Sequence, residues 1–324
     1  MSFVAATRSL MFTAALAATV GLAACGGGGS SASTSSSSNV LNLSSAVQSE
    51  HVAKYAAAFG VLGGPGIAAI YGSVSQTFIA DLQAGSVTGT TSCPSGGSFV
   101  TTVQNGTSSG LLAGESASVT FTSCVGQILA PAVSSSDSIS GEIALSVQSV
   151  TGSVGSTTSS WSYTATESTS NLTLVSSSGT TTLNGTVTFT MSYDATTGLT
   201  TTTASAPTVT IGSTITSSNI TGTITATSLN FTRVHGSSTN TVSASGSIGV
   251  AVSDATMAFN LSTVTPVTLS NGALTAGELQ LTSSNATETI TVQSASSITL
   301  STTANGTTGT FAETASTLEA LLSS

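Results

Sequence analysis

Charged side chains are scarce in this chain. They make up 5% of its 324 residues, with three lysines and arginines against twelve aspartates and glutamates. Soluble domains ordinarily carry about 25% charged residues. Because no basic patch can form to neutralise phosphates, nucleic acid is excluded as a partner. The acidic residues are scattered, and no acidic run indicates a dedicated cation site.

Residue types that commonly carry catalysis or bind metals are also few. The two histidines, His51 and His235, do not build a zinc site. No Gly-x-Ser-x-Gly elbow, phosphate loop or dinucleotide fingerprint occurs. A triad of a serine with His235 and Asp254, or a carboxylate pair drawn from Asp194, Asp254 and Glu167, stays open as an alternative. We predict a protein that is not an enzyme and that has no metal and no cofactor.

The apolar stretch near the N terminus is too short to cross a membrane as a helix. It covers residues 10–22, about 13 residues, and follows Arg8, whereas a membrane-spanning helix needs about 20. This length is typical of the core of a signal peptide. We predict a signal peptide over residues 1–24.

Cys25 follows this stretch directly, in the run Leu22-Ala23-Ala24-Cys25. The run resembles the lipobox of bacterial lipoproteins. The resemblance implies cleavage before Cys25, acyl chains on Cys25, and handling by the lipoprotein processing and sorting machinery. It implies the cell envelope of a Gram-negative bacterium, and Gly26 favours the outer membrane because it is not an acidic retention residue. The alternative is an unlipidated secreted protein.

Residues 25–39 hold the predicted lipidated cysteine and a flexible tether. Residues 26–39 are almost entirely glycine and serine, a composition that cannot bury enough apolar surface to order itself. Such a linker spans roughly 20 Å root-mean-square. It would let a folded domain stand away from the bilayer.

Residues 40–86 show helical periodicity. Ser45 and Gln48 fit a capping box, and apolar residues follow at helical spacing up to Gly60. After a glycine–proline turn, a second amphipathic pattern runs over residues 67–82. We predict a helical hairpin whose apolar face packs on another layer.

Residues 87–311 change to a period of two, with threonine alternating with apolar residues, which indicates strands with one buried face. Asn-Gly pairs at 105, 184, 271 and 305 predict hairpin turns. We predict a mainly β (α+β) fold: a large antiparallel sheet, curved or arranged as a sandwich, with the helical hairpin packed on it. Residues 312–324 are predicted as a short C-terminal helix or tail.

A glycine recurs two places before an apolar β-branched residue at Gly141, Gly185, Gly222 and Gly246. The spacing is irregular, so it is not a solenoid period. We interpret it as a repeated device that begins strands.

Cys93 and Cys124 are the other cysteines. In an oxidising compartment two cysteines of one domain pair, and a hairpin across residues 98–122 would bring them together. Two free thiols are the alternative. The tract from Cys93 to Gly97, with the second cysteine about 30 residues later, resembles poorly characterised β-rich proteobacterial lipoproteins, which implies a fold class and no activity.

Three functions follow from these observations. The first is a membrane-anchored, non-enzymatic envelope lipoprotein with a structural or surface-interaction role. The second is a binding module that holds a lipid or another apolar ligand between hairpin and sheet. Its cavity would be lined by Ile70, Val74, Phe78, Phe189 and Phe231. The third is a hydrolase that uses His235 with nearby acids.

Overall fold

The computed structural model describes residues 88–318, except 107–109, 128–135, 178, 216–219, 238, 253–254 and 271–272, together with residues 50, 53, 54, 57, 71, 79 and 82. Its described part contains one antiparallel sheet of fourteen strands whose spatial order is their order in the chain. The strands are β1 (Gly89–Ser92), β2 (Ser98–Gln104), β3 (Ser116–Val125), β4 (Ser138–Thr151), β5 (Trp161–Val175), β6 (Gly179–Asp194), β7 (Leu199–Ile215), β8 (Ile220–His235), β9 (Thr239–Val252), β10 (Ala255–Ser270), β11 (Ala273–Thr282), β12 (Ala286–Ser294), β13 (Ser297–Ala304) and β14 (Thr307–Glu313).

The fold-class prediction is confirmed at this level: the protein is mainly β and antiparallel, and the choice between one sheet and a sandwich resolves to one sheet. Strands β4–β10 are 14 to 17 residues long. The flanking strands have 4 to 10 residues. The last strand ends at Glu313, two residues beyond the predicted boundary, and residues 315–318 are helical.

The alternation of apolar and polar residues along the strands places them on opposite faces of the sheet. On β5, buried residues alternate with half-buried ones from Trp161 to Thr169. We call the face that carries Ile143 and Tyr163 the inner face, and the opposite one the outer face. Inner-face apolar side chains from β3 to β13 form one continuous buried cluster. Burying them supplies the main favourable free energy of this fold.

Residues from the predicted hairpin segment reach the same cluster. Ala57, Tyr71, Ile79 and Leu82 are buried in it, and Leu318 joins from the chain end. Ala57, Tyr71, Ile79 and Leu82 have helical backbone. Most of residues 40–86 lie outside the described part, so the helical hairpin itself stays a prediction.

Bulges interrupt the strands at neighbouring points. Register shifts occur at Gly141 on β4, between Thr169 and Leu172 on β5, and after Gly185 on β6. Gly141, Gly185, Gly246 and Gly277 have positive φ, from 109° to 157°. A Cβ on Gly141 would lie 2.6 Å from the Asn171 carbonyl oxygen. Glycine is needed there because the bent backbones approach closely.

The glycine repeat was therefore misinterpreted. Gly185 and Gly246 lie in the middle of long strands and bend them rather than begin them. Gly222 sits in regular pairing between Ser213 and Val252, so it shares the pattern but not the role. The Asn-Gly pair at 184 is likewise not a turn, whereas Asn305 and Gly306, with φ of 49° and 79°, form the two-residue turn between β13 and β14.

The predicted disulfide is present. Cys93 follows β1, Cys124 lies on β3, and their Cα atoms are 5.4 Å apart. The β2–β3 hairpin pairs Ser98 with Thr122, as the sequence indicated. The bond ties the β1–β2 turn to the third strand.

Candidate functional site

The residues of the predicted apolar cavity divide between described and undescribed parts of the chain. Ile70, Val74 and Phe78 lie outside the described residues, as does the lipidation candidate Cys25. Phe189 on β6 and Phe231 on β8 share one inner-face row, with Ala204 of β7 between them. We call this the Phe189–Phe231 row. Phe189 is buried, and Phe231 is partly buried against the same cluster.

Aromatic side chains pack beside this row where β5 begins and β6 ends. Trp161 stacks on Tyr163 and on Tyr193, with ring centroids 6.2 and 6.0 Å apart. Tyr163 meets the edge of Phe189 at 6.2 Å. Burial raises the pKa of Tyr163 to about 12, so it stays a neutral hydrogen-bond donor, and its hydroxyl points to the Met191 sulfur at 3.4 Å.

The loop between β4 and β5 is held on this aromatic group. The Trp161 indole N–H donates to the Ser156 carbonyl at 2.9 Å, and the Tyr193 hydroxyl donates to the Thr157 carbonyl at 3.1 Å. Our sequence interpretation missed this group. The signal was available, because Tyr163 and Phe189 occur in the apolar phase of two adjacent strands.

The hydrolase candidates are not gathered by the described contacts. His235 Nδ1 is hydrogen-bonded to the Asn240 side chain across the β8–β9 turn. Asp194 accepts from the Thr196 N–H and the Thr197 hydroxyl, both at 2.9 Å, and these bonds lower its pKa. Glu167 is buried in the middle of β5, and Asp254 lies outside the described residues.

Hydroxyl-bearing side chains form rows across the outer face. One row runs from Thr164 through Thr190, Thr203 and Thr232 to Ser243, and the next from Thr166 through Thr188, Ser205 and Asn230 to Ser245. The Thr164 and Thr190 oxygens are 2.9 Å apart, those of Thr166 and Thr188 3.4 Å. These side chains partly satisfy one another and leave further hydrogen-bonding capacity towards solvent.

Two open grooves lie on the outer face. One of about 380 Å³ crosses β2–β5, and one of about 420 Å³ lies over β8–β11 and the turn that follows β11. Threonine, serine, glutamine and asparagine supply their polar groups, and no charged side chain lines either of them. A partner of this face would be recognised by hydrogen bonds and shape rather than by charge.

Inner-face polar residues are few, and two of them meet the hairpin segment. The Tyr71 hydroxyl lies 2.9 Å from Thr169 Oγ1. Burial raises the pKa of Tyr71 to about 12, the hydrogen bond with Thr169 opposes this, and the charge of Glu167 adds to it. Lys54 Nζ lies 2.7 Å from the buried Glu313 and 2.7 Å from Glu50. Hydrogen bonds to Glu313 and then to Glu50 raise the Lys54 pKa.

Glu288 differs from these residues. It is 0% exposed, and burial raises its pKa well above the usual range. Within the described structure, neither carboxyl oxygen of Glu288 has a hydrogen-bond partner, and the same is true of the hydroxyl of Thr302. These two residues face each other on β12 and β13.

Metal and membrane signals are absent within the described part of the chain. No group of three or more His, Cys, Asp or Glu side chains there could hold a metal ion. No described helix is both long enough and apolar enough to span a membrane. The chain matches no protein-family model, no curated protein and no solved structure.

Proposed function

We propose that this protein is a lipid-anchored, non-enzymatic lipoprotein of the bacterial cell envelope, whose outer sheet face is an interaction surface. The observation that carries the proposal is the contrast between the buried inner face and the uncharged hydroxyl rows around Thr190. The outer side chains do little for the core, so the fold leaves this face free for contacts.

The anchor part of the proposal rests on Cys25. Two or more acyl chains there hold a protein stably on a bilayer, since each buried methylene contributes about 0.8 kcal/mol. The glycine–serine tether of residues 26–39 then separates the sheet from the lipid. The absence of an acidic residue at Gly26 favours sorting to the outer membrane of a Gram-negative cell.

The finer architecture is also part of the proposal. We infer that residues 40–86 form the helical hairpin and cover the inner face of a curved sheet. Two contacts support this arrangement: Tyr71 with Thr169 on β5, and Lys54 with Glu313 on β14. A single short segment thus meets both the first half of the sheet and its last strand.

Membrane fractionation tests the anchor. The Cys25→Ala variant should leave the membrane fraction and lose metabolic labelling by palmitate. The double variant Cys93→Ala/Cys124→Ala is the matched control, because it removes two cysteines but keeps Cys25. Membrane association and labelling that persist in Cys25→Ala would refute the lipid anchor.

Photo-crosslinking in intact cells tests the interaction surface. A photoreactive residue at Thr190 should form discrete adducts, and Thr188→Lys should weaken them because the charge disturbs an uncharged contact. The same residue at Ser153, in the exposed β4–β5 loop, is the control. Equal adducts at both positions would contradict a specific role of the outer face.

A second candidate function is the binding of an apolar ligand between hairpin and sheet. The Phe189–Phe231 row favours it, because the small Ala204 separates two large rings and Phe231 is only partly buried. Mass spectrometry of organic extracts from the purified protein tests this candidate. A stoichiometric lipid that is lost in Phe231→Ala is the expected result.

A further inference from the structure

The alternation of β12 and β13 is broken at one cross-strand pair. Inner positions of these strands are otherwise apolar, yet Glu288 and Thr302 occupy them and are both 0% exposed. The two residues are partners in the register, which places their Cβ atoms about 4.5–5.5 Å apart. Two polar residues at paired inner positions break the alternation of both strands. Such departures from the local sequence pattern are expected at functional sites. The apolar inner residues around the pair are Ala286, Ile290, Val292, Ile298, Leu300 and Ala304.

This pair is the exception among the buried polar groups described. Glu313 has Lys54, Glu115 accepts from the Leu112 N–H at 2.9 Å, and Thr169 has Tyr71. Only the two oxygens of Glu288 and the hydroxyl of Thr302 are unpaired in the described structure. Buried polar groups are otherwise almost always hydrogen-bonded, so three unpaired atoms side by side need an explanation.

No lysine or arginine among the described residues pairs with Glu288. The only lysine of the chain, Lys54, is engaged with Glu50 and Glu313. Arg233 lies on β8, where its guanidinium donates to Asn240 at 3.4 Å. Arg8 falls in the predicted signal peptide. Among the described residues this carboxyl has neither a cation nor a hydrogen-bond donor, and a partner from outside the chain would supply one.

The surroundings restrict what that partner is. Leu281 lies on the other side of Glu288 across β11, and Gly309 opposite Thr302 on β14 contributes no side chain. The site thus has one polar pole within apolar walls. Such walls accept a hydrocarbon chain, whereas a carboxylate or phosphate would lose its hydration there without a cation to pair with.

We propose that Glu288 and Thr302 form the polar pole of a buried site for an apolar molecule that ends in a hydrogen-bond donor, a primary ammonium or a hydroxyl group. The Glu288 carboxyl accepts from the donor, and Thr302 contributes its hydroxyl to the same group. The site is four strands away from Phe231 and does not depend on the lipid anchor or on the outer face.

Native mass spectrometry of the full chain, purified from membranes in non-ionic detergent, tests the site. The probes are decylamine, 1-decanol and decanoate, which share a chain and differ only in the end group. We expect one decylamine or one decanol per protein and no decanoate. Glu288→Gln should weaken decylamine binding about tenfold or more, and Thr302→Val about two- to tenfold, the scale of one hydrogen bond.

Two controls keep the result specific. Glu278→Gln makes the same charge change on the neighbouring strand β11, at a position that is not buried, and should leave binding unchanged. Phe231→Ala separates this site from the Phe189–Phe231 row. Binding that Phe231→Ala abolishes and Glu288→Gln spares would overturn the proposal and move the ligand to that row.

Infrared spectroscopy decides the remaining case. If the protein binds neither decylamine nor decanol, and if it shows a protonated-carboxyl band that disappears in Glu288→Gln, then Glu288 is a neutral structural group and the proposal is wrong. If decylamine binds, that band should shift in the wild type and in Glu278→Gln alike, and it should be absent from Glu288→Gln.

Discussion

The two faces of the sheet are made by the same strands, but they follow different chemistry. On β6, Phe189 points into the buried cluster, whereas Thr190 points outward and meets Thr164. The inner face is continuous from β3 to β13. The outer face repeats hydroxyls in rows and contributes little to burial. The inner face therefore stabilises the fold, and the outer face is available for contacts with a partner.

This separation also places hydroxyl groups, rather than charges, on the outer face of a chain with 5% charged residues. Threonine suits this face, because its β-branched carbon suits the pleat and its hydroxyl faces water. The exceptions to the separation are then informative. Glu288, Thr302 and Glu313 place polar groups on the inner face. Each of these buried groups needs a hydrogen-bond or ion-pair partner.

The sharpest way to test the comparison is to truncate adjacent residues on the two faces. Phe189→Ala should lower the free energy of unfolding by about 3–5 kcal/mol, because it removes a buried ring from a close-packed cluster. Thr190→Ala should lower it by about 1 kcal/mol or less, because Thr190 is only half-buried and loses one hydrogen bond with Thr164. Urea unfolding measures both, and equal effects would contradict the division between faces.

The next prediction concerns the glycines at which the long strands bend. Gly185→Ala should cost about 1–3 kcal/mol, because a positive φ is strained for any side chain. Its Cβ would also lie 3.0 Å from the Thr208 carbonyl oxygen and from Val209. Gly249→Ala is the control, since that Cβ would meet only the Thr225 carbonyl oxygen, at 3.9 Å. A neutral Gly185→Ala would mean that the bulges do not require glycine.

The unpaired polar pole should limit stability in the ligand-free protein. Glu288→Leu combined with Thr302→Val should raise the free energy of unfolding, by about 1–3 kcal/mol for each unpaired group removed. The same pair of changes should abolish decylamine binding. Thermal and urea unfolding give the first result, and a destabilised double variant would show that these groups have partners.

The pH dependence of Glu288 has a definite sign. Because its pKa is raised in the folded protein, its contribution is complete below the unfolded value of about 4.3. That contribution is lost as pH rises towards the folded value. The free energy of unfolding should fall between pH 4 and pH 7.5 by more in the wild type than in Glu288→Gln. Parallel curves would mean that Glu288 is not the group responsible.

The smallest expected effect concerns the contact between Lys54 and the last strand. Lys54→Met should destabilise the protein by about 1–2 kcal/mol, because it leaves Glu313 buried without its cation while Lys54 itself is partly exposed. The pKa of Lys54 is raised, so its contribution is complete below the usual value near 10.5 and is lost at higher pH. The difference in free energy of unfolding between the wild type and Lys54→Met should therefore be largest at pH 8 and smaller at pH 11.

Sequence reasoning predicted the elements that depend on local pattern. Alternation identified the strands, the presence of two cysteines in one exported domain predicted the disulfide between Cys93 and Cys124, and Asn305–Gly306 predicted a turn. It failed at Gly185, because an Asn-Gly pair suits a positive φ whether the chain turns back or bends within a strand. The paired neighbour decides between these, and only the register supplies that neighbour.

The polar pole could have been recognised in part. On β12, Glu288 occupies the phase of Ala286 and Ile290, and on β13 Thr302 occupies the phase of Leu300. Taken alone, each of these two residues looks like one more polar residue in a serine- and threonine-rich chain. Their meaning comes from the pairing of β12 with β13, which a single sequence does not encode in any short motif.

The contact between Lys54 and Glu313 has a consequence for how this protein is handled by proteases and detected. Beyond Arg8, trypsin-like enzymes have only Lys54 and Arg233 as cleavage sites in the whole chain. The first is held between two carboxylates, and the second lies within a paired strand. The fragment between them would run from residue 55 to residue 233, too long for routine peptide mass spectrometry. A cell could therefore display this protein abundantly while tryptic surveys of its surface record almost none of it.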